Sequence, residues 1–175
     1  MDEAIYALTG LPTIEIYHDR EYRKMEANWE KYTEWDRMNY IMTAVNFRTF
    51  TGLRKMAYTL IGTATYNEEK LVKLRDPTGT DGYTGDWSDN DKTKWTSDAL
   101  AKLGHTIADD GTFWMPYDKF FPMFQTTYIG EARDWKRDVK KTSWDRTDAG
   151  RKALSYTVVN SQTQDVVFGI AAITA

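Results

Sequence analysis

The spacing of apolar residues along the chain predicts several helices. From Tyr22 to Trp35, apolar side chains recur at every third and fourth position, as they do on the buried face of an amphipathic helix. Asp19 lies just ahead of this stretch, where it can cap the helix. Shorter helices are expected at residues 3–8 and 97–103, each followed closely by a glycine that ends it.

Stretches that alternate apolar and polar residues, or that are rich in β-branched and aromatic residues, predict the strands. They cover residues 13–17, 38–45, 58–65, 71–75, 112–115 and 126–129. Asn67, Glu68 and Glu69 join two of these stretches, which predicts a hairpin. The pattern therefore indicates an α+β fold, with an antiparallel β-sheet core and two to three helices.

The stretch from Asp109 to Phe124 places a turn, a strand and a helix in direct succession. Two acids and a glycine form the turn, and four strand-forming residues follow. Pro116 fits the first position of the next helix, since its fixed φ suits that position and no backbone N–H is needed there. Phe120, Phe121 and Phe124 then form one apolar stripe, which we expect to enter the core.

A long loop is predicted between residues 76 and 97. This segment is rich in Gly, Asp, Thr and Asn, and Trp87 and Trp95 are its two large anchors. Loops of this length inside a compact domain are uncommon and are usually functional.

The last part of the chain, residues 132–175, differs from the rest. Strands are predicted at residues 156–159 and from Val166 to Ile173, with a polar turn between them, and together they form a C-terminal β-hairpin tail. A lone hairpin is marginal in water, and an apolar final strand leaves an open edge. We expect another protein to cover that edge. Two alternatives stay open: the chain is a piece of a longer product, or the hairpin folds back on its own sheet.

Composition narrows the classes of function. The net charge of −3 provides no basic field for nucleic acid, and no apolar run approaches the ~20 residues of a membrane helix. The first residues lack the pattern of a secretory signal, so an intracellular location is expected. The chain has no cysteine, which excludes disulfides and a thiol nucleophile within it. We expect its two histidines, His18 and His105, to be surface or capping residues rather than a catalytic base.

Four segments, in the same order, resemble the second half of the calpain cysteine-protease core. The resemblance covers about residues 3–131, which we take as one domain, and residues 132–175 resemble more weakly the first strands of the β-sandwich domain that follows the calpain core. The four segments are Gly52-Leu53 with Ala57-Tyr58, Arg75-Asp76-Pro77-Thr78-Gly79, Thr84-Gly85-Asp86-Trp87-Ser88-Asp89, and Asp109-Asp110-Gly111-Thr112-Phe113-Trp114-Met115.

The resemblance implies that the catalytic positions have changed. Calpains use a cysteine nucleophile, a histidine base and an asparagine that orients the histidine, and the cysteine belongs to the half that is absent here. The histidine position corresponds to Met56, the asparagine to Asp76, and the tryptophan that shields the asparagine to Thr78. A thioether is not a base at neutral pH. We therefore expect the chain not to be a protease.

The resemblance also implies a calcium site built from carboxylates on two loops. Its positions correspond to Gly82, Asp89, Asp110 and Thr112, of which only Asp89 and Asp110 are acids. Asp86 and Asp91 could substitute for the missing acids. Two carboxylates with backbone carbonyls would hold Ca²⁺ only weakly, so no cofactor, calcium included, is expected at cytosolic concentrations.

The first functional hypothesis is a non-catalytic calpain-like pseudoenzyme that serves as a structural or binding subunit of a larger protein assembly. Its partners would be other subunits, contacted through the strand from Val166 to Ile173. By analogy with inactive calpain-like proteins, the expected setting is the cytoplasm and cytoskeleton, including a cilium or flagellum. The alternative is a regulatory partner that completes or inhibits an active calpain-like protease. A third hypothesis is a hydrolase that uses His18 or His105.

Overall fold

The computed structural model describes residues 1–47 and 52–133. The helices are α1 Asp2–Thr9, α2 His18–Glu21, α3 Met25–Arg37, α4 Ser97–Leu103 and α5 Tyr117–Met123, with a 3₁₀ turn Tyr22–Lys24 between α2 and α3. The strands are β1 Thr13–Tyr17, β2 Ile41–Asn46, β3 Met56–Tyr66, β4 Glu69–Arg75, β5 Thr112–Pro116 and β6 Thr126–Gly130.

The strands form one six-stranded sheet in the order β1-β6-β2-β3-β4-β5, and every neighbouring pair is antiparallel. The predicted α+β class with an antiparallel sheet is therefore confirmed. The hairpin between β3 and β4 is also confirmed, and its turn holds Asn67 and Glu68 at positive φ (46° and 68°). Asparagine tolerates that conformation better than most residues.

Three helix predictions need correction. The described residues contain five α-helical segments rather than two to three: α1, α3, α4 and α5 lie where the sequence placed helices, and the four-residue α2 is additional. Asp19 is not the cap of the long helix: it lies inside α2, where its Oδ1 accepts a hydrogen bond from the Arg20 N–H at 2.9 Å. Pro116 ends β5 with an extended backbone and directly precedes α5, one position before the one predicted.

The two faces of the sheet carry separate hydrophobic clusters. On one face the aromatic side chains of α3 and α5 pack on the central strands, and the phenylalanine stripe of α5 is buried there, as predicted. On the other face α4 and the two loop tryptophans pack against β4 and β5; this cluster contains Leu71, Trp87, Trp95, Ala99, Leu103 and Trp114. The first cluster thus holds α3 and α5 on the sheet, and the second holds α4 and the loop that carries Trp87 and Trp95.

The predicted C-terminal hairpin, including the strand from Val166 to Ile173, lies outside the described residues. The division into residues 1–131 and 132–175 therefore stays a prediction. Among the helices of residues 1–47 and 52–133, none has the length and apolar character needed to cross a membrane.

Candidate functional site

One edge of the sheet brings together the positions that the calpain resemblance singles out. Asn46 at the end of β2 pairs with Met56 at the start of β3, and Arg75 at the end of β4 pairs with Thr112 at the start of β5. Asp76 follows Arg75 directly. Because antiparallel neighbours end and begin at the same edge, Met56 and Asp76 share one end of adjacent strands. We call this end the catalytic edge; it comprises Met56, Asp76 and Thr78.

Met56 is partly buried and packs against the main hydrophobic cluster. Its thioether sulfur is only a weak hydrogen-bond acceptor and carries no proton to exchange. This position can therefore supply packing but no general base.

Asp76 is almost completely buried, with 1% of its surface exposed. Its Oδ1 accepts hydrogen bonds from the Thr78 N–H (2.8 Å) and the Thr78 hydroxyl (2.6 Å), and its own N–H donates to the Gly111 carbonyl (2.7 Å). Its Oδ2 is buried without a hydrogen-bond partner among the described residues. The nearby Tyr58 hydroxyl donates instead to the Arg54 carbonyl at 3.2 Å. Burial raises the pKa of Tyr58, and the neighbouring Asp76 carboxylate adds to that rise, so Asp76 has the Tyr58 hydroxyl nearby although Oδ2 accepts no direct hydrogen bond.

Thr78 is exposed and joins the catalytic edge to a residue that sequence reasoning missed. Its hydroxyl accepts a hydrogen bond from Arg54 Nη1 at 2.6 Å, and Arg54 Nη2 donates to the Thr80 hydroxyl at 3.2 Å. A guanidinium presents several donors in a fixed plane, which suits this pair of hydroxyls. No pattern in the sequence distinguishes Arg54 from other arginines.

The positions of the implied calcium site are occupied by other interactions. A side chain at Gly82 would begin 2.7 Å from the Gly52 carbonyl oxygen, so this position has no room for an acid. Asp89 has both oxygens engaged: Oδ1 accepts from His105 Nε2 at 2.9 Å and Oδ2 from the Ala108 N–H at 2.8 Å. Asp110 Oδ1 accepts from the Thr112 N–H at 2.8 Å.

Neighbouring acids do not complete the calcium site. Burial alone would raise the pKa of Asp91. However, Asp91 accepts hydrogen bonds from the Trp87, Thr93 and Lys94 N–H groups and from the Thr93 hydroxyl, and together these bonds lower its pKa to about 2. Burial and the charges of Asp89, Asp109 and Asp110 raise the pKa of Asp81 to about 6. Within residues 1–47 and 52–133, no three acidic or histidine side chains converge as metal ligands. This arrangement does not fit a bound calcium ion.

Both histidines are buried, so the prediction that they are surface or capping residues is wrong. His18 Nδ1 contacts the Phe121 carbonyl at 2.9 Å, while Nε2 contacts the hydroxyls of Tyr32 (3.1 Å) and Thr127 (2.9 Å). Burial lowers the pKa of His18 to about 4. His105 stacks on Trp95 with the ring centres 4.4 Å apart. The sequence around each histidine is polar, and only long-range packing buries the rings.

The sheet, the shared edge and the loop contacts define an α+β domain that can be compared with known proteins. The calpain family cysteine protease model matches residues 1–131. Calpain-9 of Mus musculus is 41% identical over 117 residues, and Calpain-9 of Rattus norvegicus is 33% identical over 117 residues; each match covers 57% of this chain and 17% of the relative. Calpain-5 of Caenorhabditis elegans is 24% identical over 130 residues, which is 65% of this chain and 20% of that protein.

This chain belongs to the calpain family. It spans only 17% to 20% of the length of these relatives. The resemblance found from the four segments is confirmed over the region predicted for it.

Proposed function

We propose that this chain is a non-catalytic member of the calpain family that binds other proteins as a subunit of a larger assembly. The single observation that carries this proposal is Met56 at the family's base position. A thiol nucleophile needs a neighbouring base to hold it as a thiolate, and a thioether cannot do so. The sequence also contains no cysteine, so the chain itself provides no nucleophile of this type.

The environment of Asp76 supports the same conclusion. An orienting residue must present a hydrogen-bond group to the base, whereas Asp76 directs one oxygen to its own turn at Thr78 and keeps the other buried. The surrounding framework is nevertheless well packed, with Tyr58 and Phe113 buried beside the catalytic edge. A packed framework that lacks a base can still present a surface to another protein, but it cannot activate a nucleophile.

The proposed partners are other protein subunits, contacted through the strand from Val166 to Ile173 by edge-to-edge pairing. A cytoskeletal or axonemal assembly in the cytoplasm is the proposed setting, by analogy with inactive calpain-like proteins. No cofactor takes part in this function. The occupied oxygens of Asp89 and the lack of space at Gly82 support a calcium-independent role.

The proposal is tested by capturing the chain's partners from cells and comparing a matched variant. Phe168→Lys places a charge in the final predicted strand, whereas Lys119→Ala changes an exposed residue of α5 and serves as the control. We expect structural proteins to bind the wild type and the control but not Phe168→Lys. Capture of no protein, or equal capture by all three forms, would contradict the proposal.

A second candidate, the regulatory partner of an active calpain-like protease, is favoured by one observation. Thr78, at the position of the residue that shields the orienting residue, is exposed at the catalytic edge, where a segment of another chain could contact it. This candidate predicts a cysteine-containing calpain segment among the captured proteins. It also predicts that adding the chain changes the rate at which that protease cleaves a fluorogenic peptide, and that Asp76→Ala removes the change.

A further inference from the structure

Two loops, one after β4 and the other after α4, are joined by several hydrogen bonds. The Asp81 N–H donates to Asp109 Oδ1 and the Asp76 N–H to the Gly111 carbonyl, both at 2.7 Å, and one acidic side chain adds two further bonds. The first loop runs from Asp76 to Thr96 and carries Asp89; the second runs from Gly104 to Gly111 and carries His105 and Ala108. Asp89 Oδ1 accepts from His105 Nε2, and Asp89 Oδ2 accepts from the Ala108 N–H. We call these two hydrogen bonds the Asp89 bridge.

The two side chains of the Asp89 bridge are buried, whereas the Ala108 N–H that donates to Asp89 lies at the surface. The side chains of His105 and Asp89 are 2% and 8% exposed. The His105 ring stacks on Trp95, and Trp95 packs edge-on against Trp87 at 4.9 Å. Trp95 Nε1 also donates to the Ser88 carbonyl at 2.9 Å, one residue before Asp89. A buried hydrogen bond to a charged group contributes more than an exposed one, because water does not compete for it.

The same loops carry the positions where the family resemblance implies a calcium ion. An ion there would hold the loops together by binding carboxylates from both. In this chain Gly82 lies against the Gly52 carbonyl and has no room for a side chain, and Thr112 is not an acid. Asp89, which would have to contribute to such a site, already has a donor on each oxygen.

We propose that the Asp89 bridge takes the place of a metal ion in this chain: His105 and the Ala108 amide donate hydrogen bonds to Asp89 and orient it, so the two loops hold together without calcium. His105 is the central residue, since it supplies both a hydrogen-bond donor to Asp89 and a ring that packs on Trp95. The proposal concerns the loops alone and holds whether or not the chain binds protein partners.

The remaining acids near the bridge are consistent with this arrangement. Asp81 is close enough to Asp89, Asp109 and Asp110 for their charges, after burial, to raise its pKa, and its Oδ1 has no hydrogen-bond partner among the described residues. A bound divalent ion would bring these carboxylates together. In the part of the chain that the structure describes, these neighbouring carboxylates are not spaced as a set of metal ligands, and Asp89 is turned toward His105.

The experiment is thermal unfolding of the 175-residue chain in millimolar calcium and in chelator. We expect the midpoint of the wild type to be the same in both. His105→Gln should lower it by several degrees in both. Lys102→Gln removes an exposed ion pair with Asp98 and a contact with the Tyr66 ring, and should leave the midpoint nearly unchanged. In a double-mutant cycle, adding His105→Gln to Asp89→Ala should cost less than His105→Gln alone.

Amide hydrogen exchange of the wild type provides a second measurement that does not require a variant to fold. We expect the Ala108 amide to be protected to the same degree in calcium and in chelator. Three results would each overturn the proposal: a midpoint that rises with calcium in the wild type and loses that rise in Asp110→Asn, an unchanged midpoint in His105→Gln, or an Ala108 amide protected only when calcium is present.

Discussion

Two buried aspartates, each at a position that the calpain resemblance links to function, are treated differently by their surroundings. Asp76 at the catalytic edge has one oxygen bound to Thr78 and the other buried without a partner. Asp89 in the loops has a donor on each oxygen. A buried polar group without a partner costs free energy, whereas a paired one is close to neutral or stabilising. The domain therefore tolerates a polar atom without a hydrogen bond at Asp76, whereas its loops depend on the hydrogen bonds of Asp89.

The largest effect is expected on lowering the pH, because protonation of His18 breaks its hydrogen bonds. Both ring nitrogens of this buried histidine have hydrogen-bond partners. A carbonyl only accepts, so Nδ1 donates to Phe121, and Nε2 is the acceptor for the hydroxyls of Tyr32 and Thr127. Burial lowers the pKa of His18 to about 4 in the folded state, whereas its ordinary value is near 6.5. Between these two pH values the unfolded chain binds a proton at His18 and the folded domain does not. Stability should fall by about 3 kcal/mol as the pH drops from about 6.5 to 4.

Urea unfolding at a series of pH values measures this dependence. His18→Gln removes the titrating group, so its stability should change less over the same pH range than that of the wild type. If the free energy of unfolding of the wild type changes with pH no more than that of His18→Gln, then His18 does not stay neutral in the folded domain.

The next effect is expected from removing the paired aspartate itself. Asp89→Ala removes the acceptor of His105 Nε2, whose ring is buried, and the acceptor of the Ala108 N–H, which lies at the surface. We expect a loss of about 2 kcal/mol in the free energy of unfolding, measured in urea at neutral pH. Asp118→Ala, at an exposed position of α5, serves as the control and should change the value little. Equal losses in Asp89→Ala and Asp118→Ala would show that the hydrogen bonds of Asp89 contribute no more to stability than an exposed side chain does.

A smaller effect of opposite sign is expected at the unpaired aspartate. In Asp76→Asn the side-chain oxygen can keep both hydrogen bonds from Thr78, and an amide group replaces the oxygen that has no hydrogen bond. The free energy of unfolding should stay the same or rise by up to about 1 kcal/mol. Asp76→Ala, which also loses the bonds from Thr78, should be destabilised instead. A large loss in Asp76→Asn would mean that the open oxygen has a partner that matters for stability.

The smallest effect is expected at Asp81. Burial and three neighbouring carboxylates raise its pKa to about 6 in the folded state, so the folded domain binds a proton more readily than the unfolded chain does. The stability penalty is fully present above about pH 6 and is relieved as the pH falls toward the ordinary value. Asp81→Asn should therefore raise the thermal midpoint slightly at pH 7 and by less near pH 4. A midpoint that falls at pH 7 would contradict this explanation.

Local patterns in the sequence were sufficient to locate the elements of the sheet and the aromatic residues that pack on it. The spacing of Trp29, Tyr32 and Trp35 and the stripe of Phe120, Phe121 and Phe124 predicted buried faces correctly, because a helix presents a fixed periodicity wherever it lies. Tyr22, taken as the start of the first face, is exposed and lies in the 3₁₀ turn before α3. The four calpain-like segments located the catalytic edge, since Met56 and Asp76 do end up at the same end of β3 and β4.

Only the tertiary structure decided how the individual polar side chains are paired. His18 meets Phe121 and Thr127 from more than a hundred positions away, His105 meets Asp89 across α4, and the space at Gly82 depends on Gly52 in a different loop. Sequence patterns report which face of an element is apolar, and this property is local. Burial of a histidine and pairing of a carboxylate depend on contacts between distant segments, and no periodicity along the chain encodes them.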